Sequence, residues 1–149
     1  MTDATPPAAD RPARIRQGGR EKAYRPLPAA ERRAAVEAAL DAFAQGDYFA
    51  AHELLEPAWM GSADVAEREL DQGLIKLAAA YVHAVRGNPA GIRKNLLGAR
   101  RRLADGASAG TAARVDVPAL LAAIDDRLAA LDGPEPAAAF HPPAIRRCS

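Results

Sequence analysis

Histidine and carboxylate side chains on a short helical segment are the residues of this sequence best suited to chemistry. His52 and Glu56 are four residues apart in the run from Tyr48 to Trp59, so both fall on one face of a helix, between two aromatic residues. An imidazole beside a carboxylate can bind a metal ion, or can serve as acid and base on a small substrate. These residues form the first half of a candidate site.

The second half lies on the next helical segment, where polar residues interrupt an apolar sequence. Gln72, Lys76 and His83 are spaced four and seven residues apart, which places them in one stripe of a helix. A polar group buried without a partner costs about 2 to 7 kcal/mol, so these side chains need each other, a metal ion or a ligand. We predict one polar cluster between the second and third helices, whose members are His52, Glu53, Glu56, Trp59, Gln72, Lys76 and His83.

This polar cluster has two interpretations. In the first, the chain binds a small molecule or a metal, with His52, Glu56 and His83 as ligands or acid and base and with Lys76 holding an anion. In the second, Glu56 pairs with Lys76 and the histidines bond to Gln72 or to the backbone, so that the cluster is structural. The chain is then a non-catalytic helical interaction module with a protein or RNA partner. Neither interpretation names a reaction or a cofactor, and whether the chain is an enzyme stays open.

The spacing of the cluster departs from two known metal motifs. Zinc proteases need a second histidine four residues after the first, and Glu56 occupies that position here. Di-iron bundles need a doubled Glu-x-x-His motif, and the other helices offer no matching carboxylates. The metal candidates His52, Glu56 and His83 therefore rest on residue type and on the predicted proximity of the two helices.

The charge balance limits the partners that the chain attracts over long distances. There are 20 basic and 19 acidic side chains, so no global field draws in nucleic acid or an anionic membrane. The fourth helix carries a basic surface suited to RNA or an acidic partner, although interleaved aromatic residues are missing. Its residues are Arg93, Lys94, Arg100 and Arg101.

Other features predict a cytoplasmic protein. No apolar stretch approaches the ~20 residues that cross a bilayer, and the start lacks the pattern of a secretory signal. Cys148 is the single cysteine and has no internal disulfide partner, which is compatible with a reducing compartment. An Ala-rich bundle is also compatible with a homodimer.

The elements that must position the cluster are helices. Ala provides the largest share of the hydrophobic residues and favours helices over sheets, and we find no convincing strand. A 3.6-residue period predicts helices at about 29–45, 47–60, 64–86, after Asn88 and after Asp116. Pro57 predicts a kink or an early end of the second helix. We predict an all-α compact bundle of about five helices in which the third, about 64–86, is central and buried.

The two ends of the chain differ from this middle part. Residues 1–26 and 133–149 are rich in Pro and show no apolar periodicity. We predict a flexible N-terminal arm over 1–26, a helical bundle domain over 27–132 and a Pro-rich C-terminal tail over 133–149. Phe140 and Ile145 are apolar enough to hold parts of that tail against the bundle.

Two linked runs resemble a known family. They are Phe43 to Trp59 and Gln72 to His83, the second followed by Gly87-Asn88. Over about Ala35 to Leu103 the chain resembles the bacterial and archaeal domain of unknown function 309, which implies a compact bundle with a central helix ringed by others. The resemblance implies that the family's polar signature falls on His52, Glu53, Glu56, Trp59, Gln72 and His83, and it assigns no activity.

Overall fold

A computed structural model describes residues 14–17, 20–23 and 25–148, and this part of the chain is mainly helical. Five long helices and one single-turn helix confirm the all-α bundle. None of these helices is long and apolar enough to cross a membrane. They are α1 (Ala29–Ala44), α2 (Tyr48–Met60), α3 (Val65–Val85), α4 (Pro89–Asp105), α5 (Gly110–Ala113) and α6 (Val117–Leu131), with short 3₁₀ helices at Ala107–Ala109 and Pro136–Phe140.

Two turns of the same design fold α1–α2 and α3–α4 into helical hairpins. Gly46 and Gly87 have φ angles of +84° and +66°, a left-handed conformation that glycine adopts without strain. The next residue caps the following helix: the Asp47 side chain accepts a hydrogen bond from Ala50 N, and the Asn88 side chain accepts one from Gly91 N. The Asp116 side chain caps α6 in the same way, by accepting a hydrogen bond from Ala119 N.

The third helix is the centre of the bundle, as predicted. It packs against α2 and α4, and α4 in turn packs against α6. Leu77, Ala80 and Tyr81 of α3 are fully buried. Tyr81 also lies close to the rings of Phe43 and Tyr48, with centroid separations of 6.0 and 5.8 Å, which joins both hairpins in one core.

Small residues allow α3 and α4 to approach closely. A Cβ added to Gly73 on α3 would lie 2.7 Å from Leu103 Cγ on α4. A Cβ added to Gly106, at the end of α4, would lie 2.3 Å from the backbone nitrogen of Leu70. Side chains at Gly73 and Gly106 would force the two helices apart. The two glycines therefore help to determine how α3 is rotated against α4.

Pro57 does not end α2 early. The helix continues to Met60, and its last turn includes a hydrogen bond from Gly61 N to the carbonyl of Pro57. A proline blocks its own N–H bond but leaves its carbonyl available, which permits this extra turn.

A β-hairpin precedes the bundle, where we predicted no strand. Strands β1 (Arg14–Gln17) and β2 (Arg20–Ala23) are antiparallel, with Arg14 opposite Ala23 and Gln17 opposite Arg20. The two strands fall within the predicted arm over 1–26, of which residues 1–13, 18, 19 and 24 lie outside the described part. The sequence between the strands is Gly18-Gly19, a pair typical of two-residue hairpins, and this signal was overlooked.

The end of the chain packs back onto the bundle. Ala139 is fully buried, and its carbonyl accepts a hydrogen bond of 3.2 Å from the Tyr81 hydroxyl. Phe140 and Ile145 pack against the core, in agreement with their predicted role. Near the end, Cys148 N donates to the carbonyl of Arg114, so the tail also contacts the segment between α5 and α6.

Candidate functional site

His83 lies on the face of α3 that contacts α4. Its Nδ1 is 3.1 Å from Asn88 Nδ2, and a Cβ added to Gly91 would come within 2.4 Å of the imidazole ring. The ring therefore packs on the first turn of α4, next to the residue that caps this helix. His83 belongs to the turn between α3 and α4 and not to the predicted interface of α2 with α3.

Lys76 has the same orientation. Its aliphatic stem lies over Gly98 of α4, where an added Cβ would be 2.7 Å from Lys76 Cδ. Lys76 and His83 thus both contact α4, because the close packing of α3 on α4 turns this stripe toward α4, and their membership of one polar site between α2 and α3 stays a prediction. Gln72, in the same predicted stripe, is half-buried.

The predicted residues of α2 are spread over different environments. Glu53 is exposed, Glu56 is half-buried and Trp59 is buried in the core. His52 is half-buried, and its Nδ1 is enclosed without a hydrogen-bond partner. In the described part of the chain no three His, Cys, Asp or Glu side chains form a group that could hold a metal ion, so His52, Glu56 and His83 do not converge on one.

Two of the four residues of the predicted basic surface of α4 are paired with acidic residues. Arg93 contacts Asp132, directly after the end of α6, at 2.6 Å. Arg100 contacts Asp125, within α6, at 2.5 Å. The hydrogen bond from Arg93 also lowers the pKa of Asp132. Lys94 and Arg101 are exposed. Paired guanidiniums offer little net charge to a phosphate backbone, so this surface gives weak support to an RNA site.

A buried carboxyl on α3 was missed by the sequence analysis. Asp71 is 1% exposed, and its Oδ2 has no hydrogen-bond partner in the described structure. Burial raises the pKa of Asp71 from 3.8 to about 8, with a further increase from the nearby Glu67 carboxylate and a decrease from Arg32. The side chain is therefore mostly protonated and neutral at pH 7.

The sequence does carry a signal for this residue. Asp71 precedes Leu74 by three positions and Ala78 by seven, so all three share one stripe of α3. Leu74 and Ala78 are buried. An acidic residue in a buried stripe is rare unless it has a partner, and this makes it a candidate for function.

Asp71 is part of the lining of a cleft that opens between α1, α3 and α5. The cleft has a volume of about 400 Å³. Val36 and Leu70 contribute apolar surface from α1 and α3, and Ala109 and Ala112 close the opposite side. The cleft therefore combines apolar walls with a buried carboxyl, which is typical of small-molecule sites. We refer to it below as the Asp71 cleft.

An ion pair holds two walls of the Asp71 cleft together. Arg32 of α1 donates to both carboxylate oxygens of Glu67 on α3, at 2.5 and 3.2 Å, and it also donates to the carbonyl of Leu27. The pair is only partly exposed, and its two-point geometry restricts the relative position of the helices. The Asp64 side chain accepts a hydrogen bond from Glu67 N and so caps α3 beside the cleft.

The rim of the Asp71 cleft carries charges that have no such partner. Arg33 and Glu37 of α1 and Arg114 after α5 line the cleft and are exposed, and no ion pair involves them in the described part of the chain. Arg114 has a φ angle of +60°, which is uncommon for a residue other than glycine. Its N–H donates to the carbonyl of Thr111, which helps to hold this conformation. Such outliers are frequent at functional sites.

Comparison with known proteins agrees with the resemblance seen in the sequence. The family model described as Domain of unknown function (DUF309) matches residues 36–95, which confirms the resemblance. This segment includes Glu67 and Asp71, whereas Arg33 and Arg114 lie outside it. No curated protein and no solved structure matches the chain. The Asp71 cleft is thus built partly from residues within the matched segment and partly from residues on either side of it.

Proposed function

We propose that this chain is a small-molecule-binding domain whose binding site is the Asp71 cleft, and not the region between α2 and α3. The supporting observation is a buried carboxyl without a hydrogen-bond partner in the lining of a cavity of about 400 Å³. Leaving a buried polar group unpaired costs about 1 to 3 kcal/mol, and a ligand that supplies the partner recovers this free energy. The cavity volume falls in the range of metabolite sites.

The walls of the Asp71 cleft are suited to binding because their positions are fixed before a ligand arrives. The Arg32–Glu67 pair joins α1 to α3, and Gly106 brings the end of α4 onto the backbone of α3, directly before the segment that closes the cleft. A preformed site loses less conformational entropy on binding than a mobile one.

The lining residues support binding more than catalysis. The cleft contains the Asp71 carboxyl and Ser108, but its lining includes no imidazole and no thiol. A serine needs an adjacent base to become a nucleophile, and no hydrogen bond joins the Ser108 hydroxyl to a carboxylate in the described structure. We therefore propose recognition without a chemical step.

The site can be tested by blocking the cleft. Ala112 is exposed on α5 and lines the cleft, so Ala112→Trp fills part of it without disturbing the core. Ala122 is exposed on α6 outside the cleft, and Ala122→Trp is the matched control. Thermal unfolding of the full chain would be measured against a panel of small metabolites. A ligand at ~100 times its Kd adds ~2.7 kcal/mol of stability.

We expect at least one metabolite to raise the melting temperature of the wild type and of Ala122→Trp, but not of Ala112→Trp. A shift that is equal in all three proteins would move the site elsewhere. A panel without any stabilising compound would contradict the proposed function.

The alternative of a helical interaction module is favoured by a second observation. Phe49 on α2 and Val85 on α3 are 63% and 75% exposed, and both line a shallow groove of about 300 Å³ together with Tyr48 and Val82. Exposed apolar side chains that adjoin one another are typical of protein-binding surfaces. A protein partner would use this groove and would not need the Asp71 cleft.

This alternative predicts an effect of Phe49→Ser on association. Leu97 is 52% exposed on α4 and does not line the groove, so Leu97→Ser is a matched control for the loss of apolar surface. Light scattering over a range of protein concentrations would measure self-association as the simplest case. Association that is lost in Phe49→Ser and retained in Leu97→Ser supports the module, and a monomer at all concentrations argues against self-association.

A further inference from the structure

The Asp71 cleft has a buried carboxyl in its interior and two arginine side chains at its rim. Asp71 is buried, whereas Arg33 and Arg114 are exposed lining residues. A ligand that enters this cleft therefore meets guanidiniums first and a carboxyl last. This order of charges sets the class of molecule that fits.

We propose that the ligand of the Asp71 cleft is a small zwitterion of the amino-acid type, with its ammonium group bound by Asp71 and its carboxylate facing Arg33 and Arg114. This inference rests on the proposed function of the cleft as a ligand site. It adds the chemical class of the ligand and the direction in which the ligand enters.

The ammonium end follows from the surroundings of Asp71. Arg32 is the cation whose charge lowers the pKa of Asp71, and it already donates to both oxygens of Glu67 and to the carbonyl of Leu27. No protein group therefore supplies a hydrogen bond to the buried Oδ2 of Asp71 in the described structure. An ammonium group brings both a positive charge and N–H donors, which is the combination that a buried carboxylate requires.

Binding of the ammonium group displaces a proton. Burial raises the pKa of Asp71 to about 8, so the free protein holds this proton at pH 7. When the ammonium group binds, Asp71 releases its proton to solvent and becomes the carboxylate partner of the ligand. The positive ammonium group and the negative Asp71 carboxylate cancel each other. The occupied cleft therefore differs in net charge from the free cleft only by the negative charge of the ligand carboxylate.

The carboxylate end follows from the rim. Of the charged lining residues, Arg32 is paired with Glu67, and Asp64 caps α3. The guanidiniums of Arg33 and Arg114 remain without an ion-pair partner in the described part of the chain, beside the exposed carboxylates of Glu37 and Asp64. Guanidinium groups bind carboxylates with two parallel hydrogen bonds, so Arg33 and Arg114 offer a contact to a ligand with an outer carboxylate that a simple amine cannot make.

The proposal predicts the sign of the pH dependence. The charged groups around Asp71 are Arg32, Arg33 and Glu37 from α1, Asp64 and Glu67 from α3, and Arg114 after α5. Burial moves the pKa of Asp71 into the neutral range. An ammonium ligand requires deprotonated Asp71, so its affinity rises by about tenfold per pH unit from about pH 6 to 8 and then levels off. A ligand that needed protonated Asp71 would bind more weakly as the pH rises above about 8.

The experiment is calorimetric titration of the full chain with the standard amino acids at pH 6, 7 and 8. Each amino acid that binds is compared with its N-acetyl derivative and with the amine that lacks its carboxylate. The same titrations use Ala112→Trp to locate binding in the cleft and Asp71→Asn, which replaces the protonated carboxyl by a neutral amide of equal shape. Circular dichroism checks that both variants fold.

We expect N-acetylation to abolish binding and loss of the ligand carboxylate to weaken it by about tenfold, the effect of one ion pair worth about 1.4 kcal/mol. Asp71→Asn should bind more weakly at pH 8 and lose the pH dependence. If a compound binds in the cleft but tolerates N-acetylation, or weakens as the pH rises, the ligand class is wrong and the cleft remains a binding site. If no amino acid binds, the ligand class is overturned, and the metabolite panel decides separately on the cleft.

Discussion

Glu69 and Asp71 carry two carboxyl groups on the same helix, two residues apart, and the two groups have different surroundings in the bundle. Glu69 faces α4, where Arg102 Nη1 lies 2.9 and 3.2 Å from its two oxygens. Asp71 faces the cleft between α1 and α5 and has no partner for its Oδ2 in the described structure. The Glu69 carboxylate is thus part of a helix interface, whereas the Asp71 carboxyl is buried without a hydrogen-bond partner for its Oδ2.

This difference separates a structural role from a binding role more clearly than residue type does. The Glu69–Arg102 pair has side chains only 13% and 12% exposed, so its ionic hydrogen bonds are shielded from water and belong to the folded framework. Asp71 instead destabilises the fold at neutral pH, because the unfolded chain can ionise it freely. A group that is retained at such a cost is expected to serve a ligand.

The largest effect should appear in the pH dependence of stability. Because the pKa of Asp71 is about 8 in the folded chain and 3.8 ordinarily, the folded chain retains a proton that the unfolded chain releases between these pH values. The contribution of Asp71 to stability is therefore complete below about pH 4 and is lost as the pH rises to about 8. The loss is on the order of 5 kcal/mol.

Asp71→Asn removes this titration. The variant should match the wild type near pH 4 and become progressively more stable than the wild type up to about pH 8, as measured by urea unfolding. Asp105 is exposed at the end of α4, and Asp105→Asn is the control that should show no such trend. Parallel pH profiles for wild type and Asp71→Asn would show that Asp71 is not buried as an acid.

The next largest effect concerns the ion pair between Glu69 and Arg102. Glu69→Ala leaves the Arg102 guanidinium at the α3–α4 interface without its carboxylate, and removal of one member of a shielded pair should cost about 3 kcal/mol. Arg100→Ala breaks the pair with Asp125, in which both side chains are 50% exposed, and should cost about 0.5 kcal/mol. Chemical denaturation of both variants measures the contrast, and equal losses would contradict it.

A smaller effect concerns His52, which stays a predicted site residue. Its Nδ1 is buried without a partner in the described structure, so the ring has a polar atom that adds no stability. His52→Phe keeps an aromatic ring and removes this atom, which should raise stability by about 1 kcal/mol. Thermal unfolding measures the change. A strong loss of stability would instead support the structural network that the sequence suggested around His52.

Much of the framework was predictable because its signals are local. Asp47 and Asn88 cap their helices through oxygen atoms that reach only three residues along the chain, and Gly46 and Gly87 turn the chain through their own φ angles. Such contacts depend on neighbours in the sequence and hardly on the rest of the fold. The hairpin strands at residues 14–17 and 20–23 had a local signal too, in Gly18-Gly19.

The polar residues were harder to place, because helical periodicity gives a common face but not the neighbour of that face. Lys76 and His83 share a stripe as predicted, yet that stripe meets α4. The rotation of α3 against α4 depends on how closely Gly73 and Gly106 allow the two helices to pack. This packing depends on both helices together and cannot be read from the periodicity of either one.

The sequence by itself determined the helices, their caps and turns, the central place of α3 and the resemblance to the DUF309 family, since these depend on periodicity and on short-range contacts. Only the tertiary structure decided which polar groups meet. Arg32 and Glu67 are 35 residues apart in the chain, yet their side chains are 2.5 Å apart. Asp71 lies on the side of α3 that faces α1 and α5, whereas Glu69 lies on the side that faces α4. Burial and pairing belong to the assembled bundle, because the low-dielectric surroundings that raise the pKa of Asp71 exist only when those helices are packed.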